Sequence, residues 1–459
     1  MEPSKVGRRR FLKYVGTGLV AATAAGAGYY LYSSQRGPPT TQTTTTTQTP
    51  IVWKPPAISE IQVKPRYINP TPADKVEFSY LCFDTGNNPL SNTWLIDGKE
   101  TSNERKYSTK LSEGDHSIVL KVSDGRSEAT KYGTVMVDPD QIYPSRQLHI
   151  KLKGVCYCAG PVAPEWSSLP NPSREEMDEQ LDTIRHELGC NAIVIFAGGD
   201  HEDELIECGR LAIEKGFDRI YIGPEYMAAS PEETVERLGK LAPRVRDLRE
   251  TSESIVFLVG HEFGLETAIV RGDTWDQRAV NLSNGEGWDR IRAIVPKMFR
   301  DIIAICKKNY GHKISYRAIP YEEVDLVPWQ DPIFESVGVD AYVSEIYGQS
   351  EDWVFGLLSR LKMYRKSVHC TETGCMTFSG AGYLGGASQN AGVTAISRPY
   401  DEDEQANYID RYCKTLNRAR IDGYFYTLYN EHWDKGYGLY NGKKRKKGFY
   451  MYKSYKPTG

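Results

Sequence analysis

The chain has no Cys-X-X-Cys pair and no cluster of cysteine and histidine at zinc-ligand spacing, which excludes the common structural zinc modules. No glycine-rich phosphate loop follows the first apolar run of its C-terminal part, so the sequence carries no nucleotide-binding signature there. A surplus of one charge is also missing. Lys and Arg number 57 against 60 Asp and Glu, for a formal net charge of −3, and a nucleic-acid partner would call for a basic surface. A His-X-His pair on the first strand, expected of many metal-dependent hydrolases, is replaced by Cys156-Tyr157-Cys158. No metal, no cofactor and no nucleic-acid partner is therefore expected.

What is present points elsewhere. With 459 residues the chain is long enough for two domains plus tails. Its 30 Tyr and 8 Trp supply flat rings that suit sugars as well as cores and interfaces. Nine cysteines, an odd number, leave at least one thiol unpaired within the chain. Cys190, Cys208, Cys306 and Cys413 fall in apolar or helical surroundings and read as buried thiols. The basic run Lys443-Lys444-Arg445-Lys446-Lys447 reads as a solvated loop before the last helix.

The N-terminus reads Gly7-Arg8-Arg9-Arg10-Phe11-Leu12-Lys13, followed by an uncharged stretch from Tyr14 to Tyr32. This resembles a twin-arginine export signal, with only Gly7 departing from the pattern; residues 1–36 are assigned to it. The competing reading is a plain membrane anchor, because an uncharged stretch of this length spans about 28 Å as a helix. Either way the rest of the chain is expected outside the cytoplasm, exported to the cell surface or beyond, with a membrane contact if the segment stays uncleaved. Residues 37–56, rich in Thr, Gln and Pro, read as an extended linker.

Residues 57–139 alternate on a short period. Strands are predicted at 76–80, 93–96 and 116–122, with turns at Gly86-Asn87-Asn88-Pro89, Asp97-Gly98 and Glu113-Gly114-Asp115. Trp94-Leu95-Ile96-Asp97-Gly98 and the run from Gly114 to Asp124 resemble the polycystic-kidney-disease type of immunoglobulin-like module, which implies a β-sandwich.

From residue 146 to 459 the rhythm changes to apolar runs alternating with amphipathic stretches. Eight runs are predicted as strands: 153–157, 192–196, 219–223, 255–260, 313–317, 336–340, 367–371 and 423–427. Helices are predicted between them, including 174–188, 231–250, 288–309 and 401–420. The fold class expected is α/β, a (β/α)8 TIM barrel preceded by a small all-β sandwich. An open doubly wound sheet is the competing arrangement, and the missing phosphate loop speaks against it.

Barrel enzymes carry their chemistry at the C-terminal strand ends. Strand four ends in His261-Glu262-Phe263-Gly264 and strand seven in Thr371-Glu372-Thr373-Gly374. Cleaving a glycosidic bond takes two carboxyls, an acid for the leaving oxygen and a nucleophile or base opposite. On these segments the barrel resembles the clan of retaining glycosidases with catalytic Glu at strand ends four and seven. The resemblance implies Glu262 as acid/base and Glu372 as nucleophile. His261 stands where that clan has an Asn that binds the sugar's 2-hydroxyl, a task open to a neutral His. Tyr157, Arg317, Tyr342, Tyr426 and Trp433 lie near strand ends and are the further candidates for substrate binding, with Tyr342 a candidate to hold the nucleophile. The barrel also resembles proteins labelled "abortive infection protein", through Lys153–Tyr157, Gly260–Glu266 and Thr371–Cys375, a label silent on chemistry.

The expected activity is that of an exported glycoside hydrolase acting on a polysaccharide or glycoconjugate. The alternative is a non-catalytic carbohydrate-binding protein on the same barrel. A decayed enzyme usually loses one carboxylate of the pair, and here both are present.

Overall fold

A computed structural model describes residues 56–458 apart from 65–69, 71, 73, 84–88, 113, 138–142, 144, 163–168, 284–285, 346–347, 387–396 and 443–444. The export-signal and linker readings, residues 1–55 among them, lie outside the described residues. The chain divides into two compact units, one ending at Pro144 and the other running from Ser145 to Gly459.

The first unit is all β. One sheet joins Ala57–Lys64, Val76–Phe83 and Tyr107–Thr109; the other joins Lys99–Ser102, Ser91–Ile96, Gly114–Ser123 and Glu128–Val137, with antiparallel pairing throughout. Alternation places Trp94, Ile118, Leu120 and Val122 inside with Val76 and Phe78. The hairpin turn at Asp97-Gly98 takes left-handed backbone at both residues, which Asp and Gly tolerate. This is compatible with a small β-sandwich.

The second unit is an eight-stranded parallel barrel. Its strands are Leu152–Gly160, Ala192–Gly198, Arg219–Glu225, Ile255–His261, Ile314–Arg317, Ser336–Asp340, Ser367–Thr373 and Gly423–Tyr426. Numbered along the chain, they pair in the order five-four-three-two-one-eight-seven-six. Strands five and six close the ring through parallel bridges at Ile314–Phe334 and Ala318–Val339. The Ala318 N–H donates to Gly338 O at 3.2 Å, and the Asp340 N–H donates to Ala318 O at 3.0 Å. Most strand residues are buried on both faces, as they must be between a filled interior and a layer of helices.

Serine caps start several helices soon after the strands. Ser173 and Glu176 form a capping box before Arg174–Asp182, and Ser230 and Ser350 cap Pro231–Thr251 and Glu351–Leu361. The helix predicted over 174–188 turns into a π-helical segment at Thr183–Glu187, which buries both Ile184 and Leu188. Within the basic run near the C-terminus, Lys446 departs from the expected solvated state. Lys446 is buried and its Nζ donates to Gly436 O at 3.0 Å and Thr377 Oγ1 at 3.3 Å, because backbone and hydroxyl oxygens satisfy the ammonium. No cysteine pair forms a disulfide, and all cysteines but Cys82 are buried.

Inside the barrel, Tyr221, His369 and Phe425 stack edge to face, with centroids 5.4–6.3 Å apart. Burial pushes His369 down to about 4, so this aromatic layer is uncharged. The charged residues gather at the C-terminal ends of the strands.

Candidate active site

Five consecutive strands, three to seven, each deliver an ionisable side chain to one buried cluster: Glu225, His261, Arg317, Asp340 and Glu372 close or nearly close their strands. All but Glu372 are buried as whole residues, and the Glu372 side chain is 15% exposed. The fourth strand bends out of the wall at Gly260, where φ is +153° and a Cβ would strike the Phe263 ring at 2.2 Å. Glu262 follows with φ +36°, a left-handed conformation uncommon for a residue other than glycine. The surroundings hold it there: the Glu262 N–H donates to Arg317 O at 2.8 Å, and its carbonyl accepts from Leu265 N and Glu266 N at 2.7 and 2.9 Å. Those last bonds open the short helix Phe263–Glu266.

Glu323 supports that turn from beneath. Its buried carboxyl accepts from Tyr316 Oη at 2.7 Å, Gly264 N at 2.9 Å and Ile319 N at 3.3 Å. Burial lifts it to about 7 against those bonds.

The two candidate glutamates sit in different surroundings. Glu372 is held at both oxygens. Tyr342 Oη donates to Oε1 at 2.6 Å, and the Arg317 guanidinium contacts Oε2. Burial lifts the Tyr342 hydroxyl well above its ordinary range, so it stays a donor. Among the described residues, no guanidinium pairs with Glu262. Burial pushes its carboxyl up to about 8; His261 opposes that shift, and Asp340, Glu266 and Glu323 add to it. One site therefore holds a carboxyl that keeps its proton near neutral pH beside a carboxylate on a guanidinium.

His261 links the strands. Its Nδ1 lies 2.5 Å from Glu266 Oε1 and 3.4 Å from Glu225 Oε1; its Nε2 lies 2.8 Å from Asp340 Oδ2 and 3.7 Å from Glu372 Oε2. Thr371 Oγ1 donates to Asp340 Oδ1 at 2.8 Å. Burial pushes Asp340 up, but Arg317 and then His261 hold it below the usual carboxylate range. Arg317 reaches Glu225 at 3.7 Å and Asp340 at 3.6 Å. Its charge is secured by Asp340 and its neighbours against the cost of burial. Glu225, His261 and Glu266, and likewise His261, Glu262 and Asp340, bring one ligand-type atom each within 4.8 Å. Within these sets His261 pairs with Glu225, Glu266 and Asp340, and Arg317 with Glu225 and Asp340. A small pocket borders His261 and Glu266 and is lined also by Tyr226, Thr234 and Phe263.

The sequence-based candidates divide. Glu262, Glu372, His261, Arg317 and Tyr342 come together. His261 and Arg317 do so differently from expectation, for their nitrogens face carboxylates rather than open space. Tyr157 does not join them: on its strand Cys156 points inward toward Thr371 and Thr427, so Tyr157 points to the helices, where Cys208 and Glu176 are its titratable neighbours. Tyr426 is likewise held outside the mouth, its hydroxyl donating to Cys375 O at 3.1 Å and to Tyr437 O at 3.3 Å. Trp433 lies half-buried in the loop after strand eight. In the sequence Glu266 reads as a loop or helix-start charge, and Glu225 and Glu323 carry no signal that singles them out. Glu225 at the end of Gly223-Pro224-Glu225 could have been found by reading the third strand end as the fourth and seventh were read.

No family model matches the chain, and no curated protein matches it. Among solved structures it is similar to a Parabacteroides merdae β-glucuronidase at 9% identity and TM-score 0.43, covering 87% of this chain and 54% of that one. A Bacteroides uniformis β-glucuronidase 2, covalently bound to cyclophellitol-6-carboxylate aziridine, matches at 11% identity and TM-score 0.45, covering 87% and 49%. A glycoside hydrolase family 5 enzyme from Prevotella bryantii matches at 10% identity and TM-score 0.41, covering 68% and 97%. The chain thus spans about half the length of the two β-glucuronidases. The (β/α)8 barrel itself rests on the strand order and closure described above.

Proposed function

We propose that this protein is an exported glycoside hydrolase that cleaves an O-glycosidic bond by a retaining mechanism, with Glu262 as acid/base and Glu372 as nucleophile. The observation that carries this reading is the unequal treatment of the two carboxyls. Burial keeps Glu262 protonated up to about pH 8, while Tyr342 and Arg317 engage both oxygens of Glu372. That division supplies an acid for the leaving oxygen and an anion for the anomeric carbon. In the first step Glu372 attacks the anomeric carbon as the bond to the leaving oxygen breaks, and the Glu262 proton passes to that oxygen. In the second step Glu262 takes a proton from water, which attacks the same carbon and frees Glu372. Aromatic rings near the ends of strands five and six suit a sugar substrate: Tyr321 lies 6.0 Å from Trp353 and 6.3 Å from Trp288, centroid to centroid. Export rests on the resemblance of residues 7–13 to a twin-arginine signal.

The test is a panel of aryl glycosides and polysaccharides, with Glu372→Gln as control. Turnover by the natural sequence, lost in the variant and giving first product of retained anomeric configuration, is the expected result. Inverted product would move the pair to an inverting mechanism. Sugar binding without turnover would favour a carbohydrate-binding protein instead.

A further inference from the structure

The residue before Glu262 is enclosed by carboxylates on both sides of its ring. Glu266 and Glu225 face Nδ1 of His261, and Asp340 and Glu372 face Nε2, at 2.5, 3.4, 2.8 and 3.7 Å. Burial lifts the Glu266 carboxyl to about 7 while His261 draws it down, whereas, against burial, Arg317 and His261 hold Asp340 below the usual carboxylate range; a neutral imidazole, with one donor and one lone pair, would turn its lone pair to the carboxyls on one side. Only the imidazolium presents N–H to both.

Other elements place titratable groups around it. Arg317 approaches from strand five, Glu262 and Glu323 from the turn that follows strand four and the short helix that follows strand five, and the Cys156 thiol from strand one. Burial and Arg317 oppose protonation of His261, yet Glu266 and Asp340 hold it well above its ordinary range. The ring nitrogens and the carboxylate oxygens they face are buried and lie in ion-pair range without the alignment of hydrogen bonds.

We propose that His261 is a charged positioning residue, clamped between Glu266 and Asp340, that shares with Arg317 the holding of Glu372 as an anion and makes no contact with substrate. The proposal rests on the glycosidase reading of the Glu262–Glu372 pair. It replaces the expected role for His261, because both ring nitrogens are buried and face carboxylates rather than open space. Glu266 becomes a required part of the site although it meets no reacting atom.

Two measurements on the full chain test it. The first needs no substrate. With 15N-labelled histidine, the ring resonances lost in His261→Asn should show both nitrogens protonated from pH 6 to 8, and Glu266→Gln should bring the neutral form into that range. A single neutral tautomer at pH 7 overturns the proposal. The second uses any aryl glycoside that the protein hydrolyses, together with its 2-deoxy counterpart. His261→Asn and Glu266→Gln should each lower kcat by about 10- to 100-fold with little change in KM, and by the same factor on both substrates; loss of one strong charged contact has this size. The acid limb of the pH profile should move upward in both variants. A penalty that vanishes on the 2-deoxy substrate would show that His261 touches the 2-hydroxyl and would end the proposal. Failure of the natural sequence to hydrolyse any glycoside would count against the glycosidase reading, and the resonance experiment would still decide the charge on His261.

Discussion

The hydroxyl of Tyr342 donates to Oε1 of Glu372 across 2.6 Å, joining the loop after strand six to the end of strand seven. Tyr342→Phe removes that donor and little else, because the ring stays packed at 6.4 Å from Tyr437. A hydrogen bond to a charged group is worth about 1.5–3 kcal/mol, so kcat/KM should fall about 10- to 100-fold. Thermal unfolding should move by only a few degrees. An unchanged rate would mean that Glu372 is not the reacting carboxylate.

On the proposed mechanism, Glu262 should set the alkaline side of the pH profile. Its carboxyl is raised, so the active, protonated form prevails below about pH 8 and is lost as pH rises through that value. Glu262→Gln should abolish that limb. Glu262→Ala should slow substrates with poor leaving groups far more than activated aryl ones, since only the former need a proton, and azide should partly restore turnover. An alkaline limb that persists in the variant would assign it to another group.

Glu323 shapes the site through the backbone. Glu323→Ala strands the Tyr316 hydroxyl and two buried N–H groups and should destabilise the barrel by about 3 kcal/mol. The sign with pH follows from its raised value of about 7 against an ordinary 4.5. Its stabilising contribution is full below the unfolded value and is lost as pH rises toward 7. The gap between natural and variant proteins in denaturant should therefore be widest at acid pH and narrow toward neutrality. A gap that widens with pH would contradict a buried carboxyl of this kind.

Export should depend on the arginine cluster. Changing Arg8, Arg9 and Arg10 to Lys keeps the charge and removes the twin-arginine pattern, so a reporter fused after residue 56 should stay in the cytoplasm. Unchanged export by the general secretory route would support the plain-anchor reading.

Much of the barrel was legible because its signal is local. Apolar runs such as Ala192–Phe196 and Ile255–Gly260 announce buried strands by near-neighbour pattern alone, and the segments between them by helical period. Reading strand ends then placed Glu262 and Glu372 at the ends of strands four and seven, where the structure has them. Residues such as Tyr157 and Tyr426 show where that reading stopped. Nearness to a strand end does not tell which face a side chain takes, and strand phase turned both toward the helices.

By itself, then, the sequence determined the alternation of strands and helices and the two glutamates at strand ends four and seven, because both are written within a few consecutive residues. Only the tertiary structure decided the surroundings of those glutamates. Closing the ring brings Glu225, His261, Arg317, Asp340 and Glu372 from five strands into one buried cluster, and their charges act on one another through a medium far less polarisable than water. Whether His261 meets a sugar or two carboxylates is settled by residues far away in the chain, Asp340 among them. No local pattern records that meeting, since it exists only once the barrel has closed.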